Sequence, residues 1–218
     1  MLFAEGNQRV YLYQKHRILQ FLNDITSKTK VLIAYHGAAA GEMAALGIIK
    51  FLQKKKNKNY ELMNFAELRL KEFEALKTKI KSKKIEKLII LEGFGLPEYY
   101  AEFNDIAINI DSHFNDKEVI TNFLNPVAAK FTPIPSVSLI VYDLLKEHIP
   151  SKYRWLIAVS SIIDYNSEAA QLIIQDEKEK VKKLPEIKHT FWSCQYNENW
   201  GNKIIEKLLN NPTPNTLQ

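Results

Sequence analysis

Cysteine is nearly absent from this 218-residue chain; Cys194 is the only one. A disulfide framework within the chain and a cysteine-rich zinc site are therefore excluded. Glycine is scarce, with seven in all and none between Gly95 and Gly201. No apolar run approaches the roughly 18–20 residues that span a bilayer. The first residues, Met1-Leu2-Phe3-Ala4-Glu5-Gly6, carry neither the basic segment nor the apolar segment of a secretory signal. Internal repeats and long low-complexity segments are missing too. These absences lead to the expectation of a soluble, cytoplasmic protein with no membrane partner.

What remains suits one globular domain, or a domain with a small appendage: 46% of residues are hydrophobic and 25% charged. A chain of this length buries roughly 70% of its unfolded surface and needs no metal or disulfide to fold. The net charge of +5 is unevenly spread. Residues 1–110 hold 18 Lys and Arg against 12 Asp and Glu, while residues 111–218 hold 12 against 13. The basic first half suits an acidic partner, protein or nucleic acid. Net charge alone favours the plainer reading, a lysine-rich compositional bias.

Apolar spacing predicts helices over 7–28 (Val10, Leu12, Ile18, Leu19, Leu22, Ile25), 42–56, 66–83, near 136–148, near 153–164 and over 199–210. Short apolar runs predict buried strands at 31–35, 60–65, 88–91 and 106–110, with another near 119–123. Strands that are continuously apolar and alternate with helices imply an α/β fold, a mostly parallel sheet with helices on both faces. Ligand sites in such folds lie beyond the carboxyl ends of the strands. That singles out 36–41, 92–95 and 111–113. Residues 1–165 form the α/β domain in this reading. Residues 166–218 form a short helical, aromatic extension ending in a frayed tail at 210–215.

The three strand ends, in order and spacing, resemble the DHH phosphoesterase family, specifically its RecJ-like nucleases. In that family the first strand runs into His-x-Asp-x-Asp-Gly. A second strand ends in Asp, a third in Asp-His-His, and a further Asp closes an apolar helix. Those side chains hold two divalent metals, usually manganese, that activate water against a phosphodiester. Here the first motif reads His36-Gly37-Ala38-Ala39-Ala40-Gly41. Ala38 and Ala40 replace both aspartates, and alanine has no donor atom. Glu92 stands at the second motif, Asp111-Ser112-His113 at the third, and Asp164 at the fourth, with Asn125-Pro126 retained after the third. The resemblance covers residues 30–165. The glycine-rich substrate-binding motif of the family's second domain has no counterpart in a chain without glycine from 96 to 200.

The resemblance therefore implies an inactive phosphoesterase homologue without cofactor, in which His36, Glu92, Asp111, His113 and Asp164 are remnants of a metal site. Among RecJ-like proteins this pattern is most similar to the inactive archaeal homologues that correspond to the cell-division-cycle subunit of the replicative helicase. The implied partners are the GINS complex and the MCM helicase, with single-stranded DNA as a third. Two basic clusters are candidates for nucleic-acid contact: Lys54, Lys55 and Lys56, and Lys77, Lys81 and Lys84, the latter three on one helical face. Within the second cluster's stretch only Glu86 opposes the lysines. The aromatic segment with Phe191, Trp192, Tyr196 and Trp200 is a candidate protein interface or a core flap. Competing readings are a residual phosphoesterase working with one weakly held metal ion, and a stand-alone single-stranded DNA binder.

Overall fold

The computed structural model describes residues 7–65, 70–93, 102–113, 123–126, 129–130, 135–165 and 198–217. Five strands, β1 (Val31–His36), β2 (Tyr60–Phe65), β3 (Lys87–Leu91), β4 (Ala107–Ile110) and β5 (Phe123–Leu124), make one sheet of order β2-β1-β3-β4-β5. Every pairing is parallel. Six described helices accompany it: α1 (Gln8–Asn23), α2 (Ala39–Lys54), α3 (Leu70–Lys83), α4 (Val137–Leu145), α5 (Arg154–Tyr165) and α6 (Glu198–Asn210). This is the α/β architecture expected from the sequence.

Strand alternation divides the apolar residues between two cores. Val31, Ile33, Tyr35, Ile89, Leu91, Ile108 and Ile110 face one side, where they meet α1, α2, α4, α5 and α6. Leu32, Ala34, Leu88, Ile90 and Ala107 face the other, where Phe73 and Leu76 of α3 cover them. Both faces being buried explains why the strands read as unbroken apolar runs. The chain runs from β1 through α2 to β2, then back through α3 to β3 on the far side of β1. That reversal puts α2 and α3 on opposite faces and opens a crevice beyond the ends of β1 and β3.

Helix α2 is the centre of the larger core. Its residues from Ala39 to Ile49 are all buried, and it packs on β1, α4, α5 and α6. Gly41 makes this possible. A Cβ there would overlap the carbonyl oxygen of His36. Helices α4 and α5 are joined by buried hydroxyls. The Ser136 and Ser161 oxygens lie 2.5 Å apart, and Ser160 Oγ donates to Ser138 Oγ at 2.8 Å. Ser136 also caps α4 by accepting from the Leu139 amide.

Several boundaries differ from the sequence reading. Helix α1 stops at Asn23, five residues early, where the Thr26 and Thr29 hydroxyls organise a turn at 3.0 Å. Leu12 is exposed, and Tyr11 and Gln14 take the buried positions instead. They face inward because Tyr11 has a polar partner there: its hydroxyl donates to Asp143 at 3.3 Å, beside a Lys15–Asp143 ion pair of 2.6 Å. The strand expected near 119–123 is Phe123–Leu124, and residues 114–122 lie outside the described residues. The C-terminal tail is not frayed. The Trp155 indole donates to Pro212 O at 3.0 Å, and Leu217 is buried in a short helical turn over Pro214–Leu217. A buried indole N–H needs an acceptor, and this carbonyl supplies it.

Gly41→Ala is expected to destabilise the chain by about 3 kcal/mol or more, because the clash is with backbone that cannot rotate away. Urea unfolding of the two proteins reads the difference. Gly47→Ala is the milder comparison, since its Cβ would meet Val141 Cγ1, a side-chain methyl, at 2.9 Å.

Candidate functional site

Sheet register aligns the strand ends. Tyr35 pairs with Leu91, Leu91 with Ile110, and Ile110 with Leu124. One residue further along each strand stand His36, Glu92, Asp111 and Asn125. The backbone continues this alignment, with Glu92 N donating to Ile110 O at 3.0 Å and Asp111 N to Leu124 O at 3.1 Å. Four of the residues singled out from the sequence, or their immediate neighbours, thus form one polar row at the crevice. Glu92 adopts a left-handed backbone, φ 57°, which costs a non-glycine residue of order 1 kcal/mol and aims its carboxylate across the row.

The acids and imidazoles of the row engage one another. Glu92 Oε2 approaches His36 Nδ1 at 3.6 Å, and Ser112 Oγ donates to Glu92 Oε1 at 3.4 Å. Asp111 Oδ1 accepts from the His113 amide at 2.9 Å and lies 2.9 Å from its Nδ1. Asn125, fully buried, donates through Nδ2 to His113 O at 2.7 Å, and its own amide donates to Gln14 Oε1. Burial works against the His113 imidazolium, but the bond to Asp111 and the charges of Asp111, Glu92 and Asp164 outweigh it and raise its pKa. Asp164 keeps solvent contact at the end of α5, yet protein crowds its carboxyl. Loss of hydration, and then repulsion from Glu92, push its pKa up against the opposing pull of His113.

Ala38 and Ala40 lie on the turn into α2. Ala38 is the extended N-cap residue and offers no side-chain cap. Ala40 is completely buried in the apolar core. Neither carries a donor atom. Among the described residues no group of three or more His, Cys, Asp or Glu side chains is gathered as a metal-holding set. The residues present do not fit the two-metal centre that the resemblance associates with this position.

A second polar cluster, missed in the sequence, lies beside the row. Glu42 is fully buried in the first turn of α2, and neither carboxylate oxygen has a hydrogen-bond partner among the described residues. Asn64 Nδ2, at the end of β2, is equally unpartnered. Helix α6 closes over both. A Cβ on Gly201 would collide with Asn64 Nδ2 and fall 2.9 Å from Glu42 Oε1 and 3.0 Å from the Tyr35 hydroxyl. Tyr35 donates to Asn202 Oδ1 at 2.7 Å, which ties α6 to β1. Burial alone pushes the Glu42 carboxyl from its ordinary 4.5 up to about 8. A signal existed in the sequence: Glu42 is the lone carboxylate in a stretch, Ala38 to Ile49, that is otherwise apolar all round.

The lysine clusters turn out to be partly committed to structure. Lys55 Nζ donates to Leu22 O and Asn23 O, the exposed carbonyls at the end of α1, and Lys54 Nζ donates to Glu147 O. Lys77 pairs with Glu102 at 3.0 Å and Glu74 at 3.8 Å. Lys79 and Lys83 pair with Glu61. Opposition by Glu86 alone is therefore corrected; the other acids arrive from β2, from the loop at 102 and from one helical turn away. Nor do Lys77, Lys81 and Lys84 share one helix face, because α3 ends at Lys83 and Lys84 turns left-handed at φ 55°. Lys56, Lys81 and Lys84 are exposed. Trp200 is 48% exposed on α6, and Phe191, Trp192 and Tyr196 lie outside the described residues.

No family model matches this sequence, and no curated protein matches it. Solved structures do. The DHH domain of a member of a ribosomal-protein family superposes with a TM-score of 0.73 at 14% identity, over 96% of this chain and 58% of that one. Exonuclease RecJ bound to manganese gives 0.60 at 12% identity, over 95% and 58%. CDC45 from Entamoeba histolytica gives 0.50 at 12% identity, over 78% and 37%. The chain thus has a RecJ-like DHH fold and spans less than two thirds of each of these relatives. No described helix is long and apolar enough to cross a membrane.

Glu42 holds its proton more tightly folded than unfolded. Its contribution is therefore complete below about pH 4.5, falls as pH rises toward about 8, and stays lost above that. Glu42→Met is expected to flatten this part of the profile and to gain about 1–3 kcal/mol at pH 8, read by urea unfolding from pH 5 to 9. Ala38→Asp is expected to cap α2 and gain about 1 kcal/mol. Ala40→Asp buries an unpaired carboxylate and is expected to lose about 4 kcal/mol or more in thermal unfolding.

Proposed function

We propose that this chain is a non-catalytic, RecJ-like accessory subunit of an archaeal replicative helicase complex, which binds the GINS complex and the MCM motor. The observation that carries the reading is the state of the strand-end row. Where the family gathers metal ligands, positions 38 and 40 hold methyl groups, and Glu92 and Asp111 are engaged with His36, Ser112 and His113. The fold persists while the chemistry at its crevice is taken apart, which is the expected condition of a scaffold. Likeness to CDC45 as well as to RecJ supports a link to replication. The exposed indole of Trp200, on a helix packed at the sheet's end, supports a protein-docking role for the C-terminal region. Contact with single-stranded DNA, where made, falls to the exposed Lys56, Lys81 and Lys84 rather than to the ion-paired Lys77.

Affinity co-purification of the tagged chain from its native extract, after nuclease treatment, tests this. Stoichiometric recovery of GINS and MCM chains is expected, together with no hydrolysis of single-stranded DNA in manganese. Recovery of neither partner from folded protein overturns the reading. Manganese-dependent hydrolysis abolished by Asp164→Ala overturns it in favour of a residual phosphoesterase.

A further inference from the structure

Among the described residues, strand β2 is an edge of the sheet. Its ladder to β1 is bracketed by Val31 N donating to Asn59 O and Gly37 N donating to Phe65 O, both at 2.9 Å. In a parallel pair the same alternation runs through the strand. Residues 59, 61, 63 and 65 therefore turn their backbone groups to β1. Tyr60, Leu62 and Asn64 turn theirs to the open side.

A cleft flanks this edge on each face. One, of about 220 Å³, lies toward α3 and is lined by Lys30, Glu61, Lys83 and Ile85 among others. The second, of about 270 Å³, lies toward α6, between Tyr60 and Leu62 on the strand and Asn202, Glu206 and Leu209 on the helix. Side chains of an added strand alternate between faces. An edge strand with a cleft on either face is therefore shaped to take consecutive side chains of one extended peptide.

We propose that the open edge of β2 is a docking site for an extended strand from another protein, which adds to the sheet and places acidic side chains toward α3 and tyrosine-like side chains toward α6. This rests on the strand edge alone and stands apart from the helicase reading. The chemistry follows from the two clefts. On the α3 face Glu61 is shared between Lys79 and Lys83, at 3.3 and 3.4 Å, and Lys30 adds a third cation. The Glu86 carboxylate accepts from the Lys30 amide at 2.8 Å, so three cations stand among two carboxylates, and the remaining positive charge favours an incoming acid. On the α6 face the apolar walls of Leu62 and Leu209 end at the Glu206 carboxylate. That suits a side chain with an apolar body and a donor at its tip.

A second copy of this chain is disfavoured as the occupant, because edge-to-edge pairing about a two-fold axis brings the Lys79 and Lys83 pairs of both copies together. Lys79 also guards the edge. Its Nζ donates to the outward Leu62 O at 2.8 Å and must be displaced by the incoming backbone. A lysine laid across an edge is a known protection against indiscriminate pairing.

Amide hydrogen exchange on the whole chain tests the proposal. The probe is a blocked peptide of ten residues alternating Glu and Tyr. At saturation the amides of Tyr60, Leu62 and Asn64 are expected to slow at least tenfold. The effect is expected to vanish when the peptide backbone is N-methylated at alternate residues, and with a peptide alternating Lys and Tyr. The Lys83→Glu chain is expected to reverse the preference between the two peptides. Its substitution is on an exposed side chain and leaves the core intact. Three outcomes overturn the proposal: no slowing by millimolar peptide, slowing that survives N-methylation, or slowing that appears with protein concentration alone and so identifies a second copy.

Discussion

The contact between Gly41 and the carbonyl of His36 organises this molecule. It lets α2 start directly against the end of β1, so that the helix is buried along most of its length. From there the consequences are geometric. Once α2 is seated, α4 and α5 pack on it, locked by serine hydroxyls, and α5 delivers Asp164 to the crevice. The same seating drives Glu42 into the protein beneath α6. A side chain larger than hydrogen at position 41 pushes against backbone, so the whole arrangement hangs on one residue.

The polar groups at the strand ends fall into two sets with different physical states. In the row of His36, Glu92, Asp111 and His113, acids face imidazoles and hydroxyls. In the cluster of Glu42 and Asn64, polar atoms are buried without partners among the described residues. An unmet buried carboxylate takes up a proton rather than remain charged. The first set stands at the strand ends, along the crevice of the sheet. The second belongs to the seat of α6 and has no counterpart in the motifs of the resembling family. Two polar sites within one sheet end are thereby separated by the presence or absence of counter-groups.

Most of the strand-end row was legible from the sequence. Short apolar runs ending in His36, Glu92 and Asp111 announce buried strands with polar termini, and a parallel sheet brings such termini to one edge. Asp164 was legible as the acid closing an apolar helix. Ion pairing was not. Lys77 and Lys79 read as a free basic surface because their acidic partners, Glu102 and Glu61, stand far away in sequence or on another element. Nor was the ordered tail. Residues 210–215 have the composition of a frayed end, and only the buried indole of Trp155, 57 positions earlier, gives them a reason to stay.

By itself the sequence determined the fold class, the order of strands and helices along the chain, and the alanines, without donor atoms, at positions 38 and 40. These depend on local apolar periodicity and on which atoms a side chain owns. Tertiary structure alone decided that β2 is an edge among the described strands, that α6 closes over Glu42, that Lys55 serves the end of α1, and that Ala40 points into the core. Those facts depend on which distant segments share space, and a parallel sheet sets that through long crossovers that local pattern does not encode.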